Sequence, residues 1–405
     1  MMIVQDLLHS FSNNRSFRWV IYVSGILCIV KLSLLFLLPI HPHAIEDWYI
    51  AQHVIAAKGY SLSLGATALK TPVYPMFLIP FAAMGDIGKI AASAMQHVLL
   101  FCGIIAFNRA CELRFNNQFA LFAGLCIALH PAYAYYPYVL ETTSLTIPLF
   151  MLWWYLAELH RSRNRYPPQL MILGFIIGLT QPILLPAIIA FQLLFAWPPS
   201  IRKIIAFGVT GLLIFAPWTI RNAMTFGQFI PLKSPMWMNV YEGMVPTLSA
   251  SERSVIEAYR NVKNDVQMEP MYKTVVINHF YDSPIRFFYS CIHRIQEFWL
   301  IPDRYAHRKL EFPILISRIM PQVILLSGCF ASIWALIRHR QLFAGESTLM
   351  WTIIGILSYV TIIYGLTQAS NIRFKLDVEW LQIVLIFPIF KVFGKLASQI
   401  RTSSS

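Results

Sequence analysis

The sequence predicts an all-α polytopic membrane protein with about ten transmembrane helices and one large folded loop on the extracytoplasmic side. Three observations predict it. The 405 residues are 57% hydrophobic and 13% charged, with mean hydropathy +0.58, whereas soluble domains run about 45–50% and about 25%. The apolar residues come in blocks approaching the roughly 20 that a helix needs to cross about 30 Å of hydrocarbon. Basic residues collect in the short connections on one side of these blocks, as in cytoplasmic anchoring. The net charge of +13 therefore points to a membrane and not to nucleic acid. The six cysteines make no disulfide framework: Cys28, Cys102, Cys126 and Cys329 lie in apolar blocks, Cys111 in a cytoplasmic connection, and Cys291 alone in the large loop. An amphipathic, arginine-containing start before a span-length apolar block predicts no cleavable signal peptide.

In chain order the spans are read at 19–40, 89–108, 119–135, 140–156, 171–185, 187–197, 204–218, 313–337, 349–366 and 380–393. The fifth and sixth are short and interrupted by Pro182 and Pro186, and read equally as one broken hairpin. Arg15 and Arg18, Arg109 and Arg114, Arg161, Arg163 and Arg165, Arg202 and Lys203, Arg338 and Arg340, and Lys391, Lys395 and Arg401 occupy one set of connections. The other short connections hold only Lys58, Lys70, Arg373 and Lys375. Both termini are thus expected in the cytoplasm, with the chain in the plasma (inner) membrane. It divides into an N-terminal membrane module at 1–221, a large loop at 222–312, and the last spans with a tail at 313–405.

Two extracytoplasmic segments, 41–88 and 222–312, exceed connector length, and long ordered loops tend to carry function. In the first, a short helix runs from Glu46 to Lys58, acids at its positive end and Gly59 as its stop. In the second, Ser249 and Glu252 form a capping box before a helix reaching about Asn264. Asp282-Ser283-Pro284 opens another helix with a cap and a first-turn proline. Its Phe287, Phe288, Ile292, Ile295, Phe298 and Trp299, among Arg286, His293 and Arg294, predict a helix lying in the membrane interface.

Ionisable residues mark one membrane face. Glu46, Asp47, Lys70, Glu141, Arg221, Arg373, Lys375 and Asp377 all fall at extracytoplasmic span ends or beside them, while the cytoplasmic ends carry almost only basic charge. Carboxylates embedded in apolar aromatic sequence are costly unless paired or used. A sugar on a membrane lipid phosphate presents its anomeric carbon at this depth. A carboxylate would take the proton of the attacking hydroxyl. The leaving phosphate, already a stable anion, needs cations and no proton donor.

At these residues the sequence resembles the glycosyltransferases of GT-C type that use polyprenyl-phosphate sugars. Glu46-Asp47-Trp48-Tyr49 with Gly59-Tyr60 is similar to their first-loop signature, and Lys70-Thr71-Pro72-Val73-Tyr74-Pro75 to their basic-x-Pro-x-Tyr-Pro segment. His130-Pro131 with Glu141-Thr142 resembles their turn between third and fourth spans. Pro217-Trp218-Thr219-Ile220-Arg221-Asn222, Phe226-Gly227 and Asn239-Val240-Tyr241-Glu242-Gly243 resemble the start of their large loop. Arg373-Phe374-Lys375-Leu376 stands where Arg-Tyr-Arg-Leu-Pro is usual. The ordered series is similar, above all, to the bacterial protein-mannosyltransferase-like and aminoarabinose-transferase-like branch.

The resemblance implies a GT-C-type bundle and an inverting transfer, without cofactor or metal, from a polyprenyl-phosphate-linked sugar to a glycan, lipid or protein acceptor. It further implies Asp47 as base and Glu141 as a second site acid. Lys70, Tyr74 and Arg221 would hold the lipid phosphate, with Arg373 and Lys375 beside them. Three departures stand out. Gln181 occupies the place of an arginine before Pro182, Asp377 replaces the proline after Leu376, and Asp47 lies closer to Tyr49 than is usual. The last leaves Glu46 as an alternative base.

Plainer readings compete. Glu46 and Asp47 also serve to offset a helix dipole, Lys70 and Arg221 to anchor in lipid head groups by snorkelling, and Arg373 and Lys375 to fix the last hairpin. His41, His43 and His53 match no tight metal-ligand spacing. Lys31, mid-span, is expected to face the bundle. A transporter or flippase would place charge near mid-membrane and show repeats, and neither pattern is evident apart from Lys31. A non-catalytic subunit of the same fold is the third reading.

Overall fold

The computed structural model describes residues 2–38, 41–162, 168–195, 200–259, 262–300, 319–367 and 372–403. The chain opens with α1 (Met2–Asn13) and α2 (Arg15–Leu37). They part at Asn14, whose side chain accepts the free N–H groups of Ser16 and Phe17. The first loop follows, with β1 (His43–Ala44), α3 (Glu46–Ile55), β2 (Ser61–Leu62), β3 (Gly65–Ala66) and α4 (Val73–Ala82). Next come α5 (Asp86–Arg114), α6 (Asn117–Leu129), α7 (Pro131–Tyr135), β4 (Val139–Leu140) and α8 (Thr142–Arg161). After α9 (Pro168–Thr180), α10 (Leu185–Phe195) and α11 (Ile201–Phe226) the chain enters its large loop. This holds α12 (Met236–Met244), α13 (Ala250–Glu257), α14 (Asp265–Asp282) and α15 (Pro284–Trp299). The last described helices are α16 (Met320–Arg338), α17 (Ser347–Thr367), α18 (Ile372–Leu385) and α19 (Phe387–Ser403).

The chain is all-α in character, but the expected ten spans are not reproduced. Among the described residues five helices, α2, α5, α11, α16 and α17, are long and apolar enough to cross a membrane. A sixth results if α6 and the following 131–138 stretch, bent by 52°, count as one. The shortfall has physical reasons. Helix α8 has 20 residues, but Thr143, Ser144, Trp153, Trp154 and Tyr155 are buried inside the bundle. It faces protein and can be less apolar than a lipid-facing span. Helices α9 and α10 have 13 and 11 residues, meet at a 3-10 turn over Pro182–Leu184, and pack on each other as a broken hairpin. The span read at 380–393 is interrupted between α18 and α19. Residues 313–318 of the eighth expected span lie outside the described residues, as do Arg163 and Arg165.

The core is centred on α5 and α8, the most extensive helix pair. Gly103 of α5 lets them approach: a Cβ there would lie 2.8 Å from Pro148 Cα. By contrast α11 leaves Ile204, Ile205, Leu212 and Leu213 exposed, the surface expected of a lipid-facing helix.

At the C-terminal ends of α5 and α8 lies an ionic network that corrects the expectation of almost purely basic ends. Arg109 donates to both carboxylate oxygens of Asp6 at 2.8 and 2.9 Å, and pairs with Glu112 at 2.8 Å. Tyr155 donates to Asp6 at 2.9 Å, and Arg161 pairs with Glu158 at 2.5 Å. The Arg109–Glu112 and Arg161–Glu158 pairs each lie within one helix, but Asp6 comes from α1, so its contacts form only when helices meet.

In the large loop, Val240, Tyr241, Met244, Leu248, Ile256, Met268, Tyr272, Val275 and Val276 form a separate apolar cluster. The Ser249–Glu252 capping box is present, although its helix ends at Glu257 and not near Asn264. Asn264 instead opens α14 with its own capping box to Gln267, a helix the sequence reading did not separate. Pro284 starts α15 as expected, but no side chain caps it. In the first loop α3 ends at Ile55, before Lys58, with Ala57 and Gly59 both at positive φ beyond it.

Candidate active site

The site begins with a two-residue parallel ladder. His43 pairs with Val139 and Ala44 with Leu140. This register sets the acids that follow each strand side by side: Glu46 and Asp47 at the start of α3, Glu141 as the residue preceding α8. Sequence spacing gave no sign that these segments pair. Behind the ladder, Trp48, Ala51, Tyr74, Leu78, Leu140 and Leu145 pack as an apolar cluster that fixes α3 against α4 and α8.

A cavity of about 220 Å³ opens beside these acids. Glu46, Lys70, Glu141, Gln181, Lys233 and Arg373 contribute polar groups to its wall, with Glu242 from α12. Lys70 stands between the first-loop acids, 3.5 Å from Glu46 and 3.3 Å from Asp47. Arg373 pairs with Glu141. Lys70 is held from behind as well, since Tyr60 donates to its carbonyl at 3.0 Å.

The two first-loop acids differ sharply. Glu46 is 48% exposed at the cavity wall, whereas Asp47 is fully buried behind Lys70. Neither Asp47 oxygen has a hydrogen-bond partner among the described residues. Burial raises the Asp47 pKa above the ordinary aspartate range, and the attraction of Lys70 only partly offsets it. For Glu46 burial also acts upward, but Lys70, a backbone hydrogen bond and Arg373 outweigh it and lower its pKa.

The two departures at Gln181 and Asp377 meet in space: Gln181 Nε2 donates to Asp377 Oδ2 at 2.7 Å. Asp377 is fully buried, while Gln181 reaches the cavity wall. A residue that is an arginine in the resembled pattern is thus a neutral donor here, and a new carboxylate accepts from it.

Other predicted site residues fall elsewhere. Tyr74 is fully buried and donates to Gln96 at 2.5 Å, away from the cavity. Lys375 donates to Gln322 at 2.9 Å and lies 3.5 Å from Glu379, in the helix bundle. Arg221 does not line the cavity either. It donates to the carbonyls of Thr67 at 2.8 Å and Tyr60 at 2.7 Å, and its guanidinium lies over the Tyr60, Trp218 and Phe226 rings. It fastens the first loop to α11. Lys31 contributes to a small pocket with Ser24, Cys28 and His97, as expected of a residue turned toward the bundle.

Sequence reading missed Lys233 as a site residue. It sits in an irregular stretch between α11 and α12, with no motif to mark it. Its only visible signal was its place 12 residues after Arg221 in a Pro-rich run.

No family model matches the chain, and no curated protein matches it. Its fold is similar to the crystal structure of the Archaeoglobus fulgidus oligosaccharyltransferase in the apo form, with a TM-score of 0.52 and 12% sequence identity. The match covers 98% of this chain and 53% of that one, so this chain spans about half the length of the archaeal protein's. At this identity the likeness is one of fold.

Proposed function

We propose that this chain is an integral membrane glycosyltransferase that moves a sugar from a polyprenyl-phosphate donor to an extracytoplasmic glycan, lipid or protein acceptor. The observation that carries the reading is the cavity wall, where Lys70 and Arg373 stand beside acids and a buried carboxylate lies just behind. Three chemical needs are met within one space. A proton acceptor is available, cations are available for a leaving phosphate, and the site sits at the start of α8.

In this reading the acceptor oxygen attacks the anomeric carbon as the bond from that carbon to the phosphate oxygen breaks. The electron pair leaves with polyprenyl phosphate, the acceptor proton passes to Asp47, and the single displacement inverts the anomeric centre. Asp47 is covered by Lys70. When the donor phosphate draws the Lys70 ammonium toward itself, the Asp47 oxygens are uncovered and lose their compensating charge. Their affinity for a proton then rises when the acceptor must be deprotonated. Arg373 and Lys70 neutralise the phosphate, and Glu141 holds Arg373 in place. No metal enters this scheme.

A second reading makes Glu46 the base, because Glu46 and not Asp47 lines the cavity. Transfer of label from a panel of polyprenyl-phosphate sugars to envelope acceptors tests both. Asp47→Asn is expected to lower kcat about 10²–10⁴-fold, the usual worth of a general base, with a smaller loss in Glu46→Gln and no effect of a chelator. The reverse order would make Glu46 the base, and no turnover across the panel would remove the enzyme reading.

A further inference from the structure

We propose that Lys233 is a ligand of the donor phosphate, held at the cavity by the Trp218–Asn222 motif and by Asp265. The inference rests on the polyprenyl-phosphate reading above. Three cations line the cavity among the described residues, and two are already engaged: Lys70 by Glu46 and Asp47, Arg373 by Glu141. Lys233 makes no hydrogen bond and no ion pair among the described residues.

Its backbone is tightly held. Asn222 donates to the Ile230 carbonyl at 2.8 Å and Trp218 Nε1 to the Leu232 carbonyl. The Ser234 N–H donates to the Ala68 carbonyl at 2.9 Å, and the Ser234 hydroxyl to Asp265. Asp265 also accepts from the Thr67 hydroxyl at 2.8 Å and the Ala68 N–H at 3.0 Å. Arg221 holds Thr67 and Tyr60 from the other side. The stretches carrying Lys70 and Lys233 are thus stitched together, and both lysines line one cavity. A half-buried ammonium fixed at its root and unpaired at its head is costly without an anion.

The surroundings of Lys233 sharpen the test. Burial and then repulsion by Lys70 lower its pKa to about 8, against the pull of Asp47 and Asp377. The other ionisable groups on the cavity wall are Glu46, Glu141, Glu242 and Arg373. Lys233 is therefore cationic at pH 7 and loses its charge as pH rises through about 8, whereas an arginine there stays charged.

The experiment measures binding of a polyprenyl monophosphate, and of the corresponding polyprenol, to the purified full chain in detergent. Wild type is expected to prefer the phosphate at pH 7, and Lys233→Gln to bind it roughly 10–100-fold more weakly, the worth of one charge-assisted contact. Lys233→Arg should bind within a few fold of wild type at pH 7 and keep its affinity to pH 9, where wild type weakens. Because the Lys233 head makes no hydrogen bond or ion pair among the described residues, neither substitution should lower the thermal unfolding midpoint below that of wild type. Equal phosphate binding by wild type and Lys233→Gln would overturn the role of Lys233 and leave the donor reading standing. Failure of wild type to prefer the phosphate over the polyprenol would overturn both.

Discussion

Asp47 shows how a residue can be poised for chemistry at the expense of stability. Burial raises its folded pKa above the unfolded value of about 3.9. The folded chain therefore binds that proton more tightly than the unfolded chain does. The resulting penalty is absent below the unfolded pKa and fully present above the folded one. Asp47→Asn removes the buried charge, so its unfolding midpoint is expected above that of wild type at pH 7, with the gain vanishing toward pH 4. A lowered midpoint would mean that the Lys70–Asp47 pair is there for structure. At the same scale, Gln181 and Asp377 looked like two unrelated losses from the resembled pattern. Their 2.7 Å hydrogen bond makes them one rearranged contact.

Helices α5 and α8 form the frame from which both polar ends of the molecule hang. The acids flanking the cavity lie at the start of α8, and the Asp6–Arg109–Glu112 network lies at the far end of α5. Their approach depends on Gly103. Gly103→Ala must displace the Pro148 backbone, so a loss of about 1–3 kcal/mol is expected from overpacking. Gly208→Ala on lipid-facing α11 meets nothing within 4 Å and should be neutral or slightly stabilising. Thermal unfolding of the two variants in the same detergent checks the contrast, and equal midpoints would refute it. The large loop acts differently: α14 begins with Asp265, which accepts from the first loop and from Ser234 at once.

Across the whole molecule, the arginine and lysine distribution predicts both ends of the chain on one side and the large loop on the other. The structure is compatible with this, since cavity and distal network occupy opposite ends of α5 and α8. Reporter fusions at residues 5 and 400 should read cytoplasmic, and an accessible tag near residue 260 should read extracytoplasmic. A tag at 260 on the same side as the two ends would invert the proposed site. The span count belongs to this scale too. Ten apolar blocks are visible in the chain, but among the described residues five helices, or six with the bent pair, have the length and composition to cross alone. Protein-facing helices such as α8 need not be as apolar as lipid-facing ones.

The sequence by itself determined the membrane class, the helical character and the presence of Glu46, Lys70, Glu141 and Arg373 as candidate site groups. These follow from local quantities: apolar block length, charge sidedness, and acids placed where burial is costly. Tertiary structure alone decided which candidates meet. The pairing of β1 with β4 is only two residues long and leaves no periodic signature, yet it sets Glu46 and Asp47 beside Glu141. Arg221 looked like a phosphate ligand because its motif is prominent; in the fold its donors are taken by the Thr67 and Tyr60 carbonyls. Lys233 was invisible because its position depends on hydrogen bonds that Trp218 and Asn222 donate to its neighbours' carbonyls and that Ser234 donates to Ala68 and Asp265, the last two remote in sequence. Side-chain burial and hydrogen-bond partners are properties of several segments at once, and no single segment of sequence encodes them.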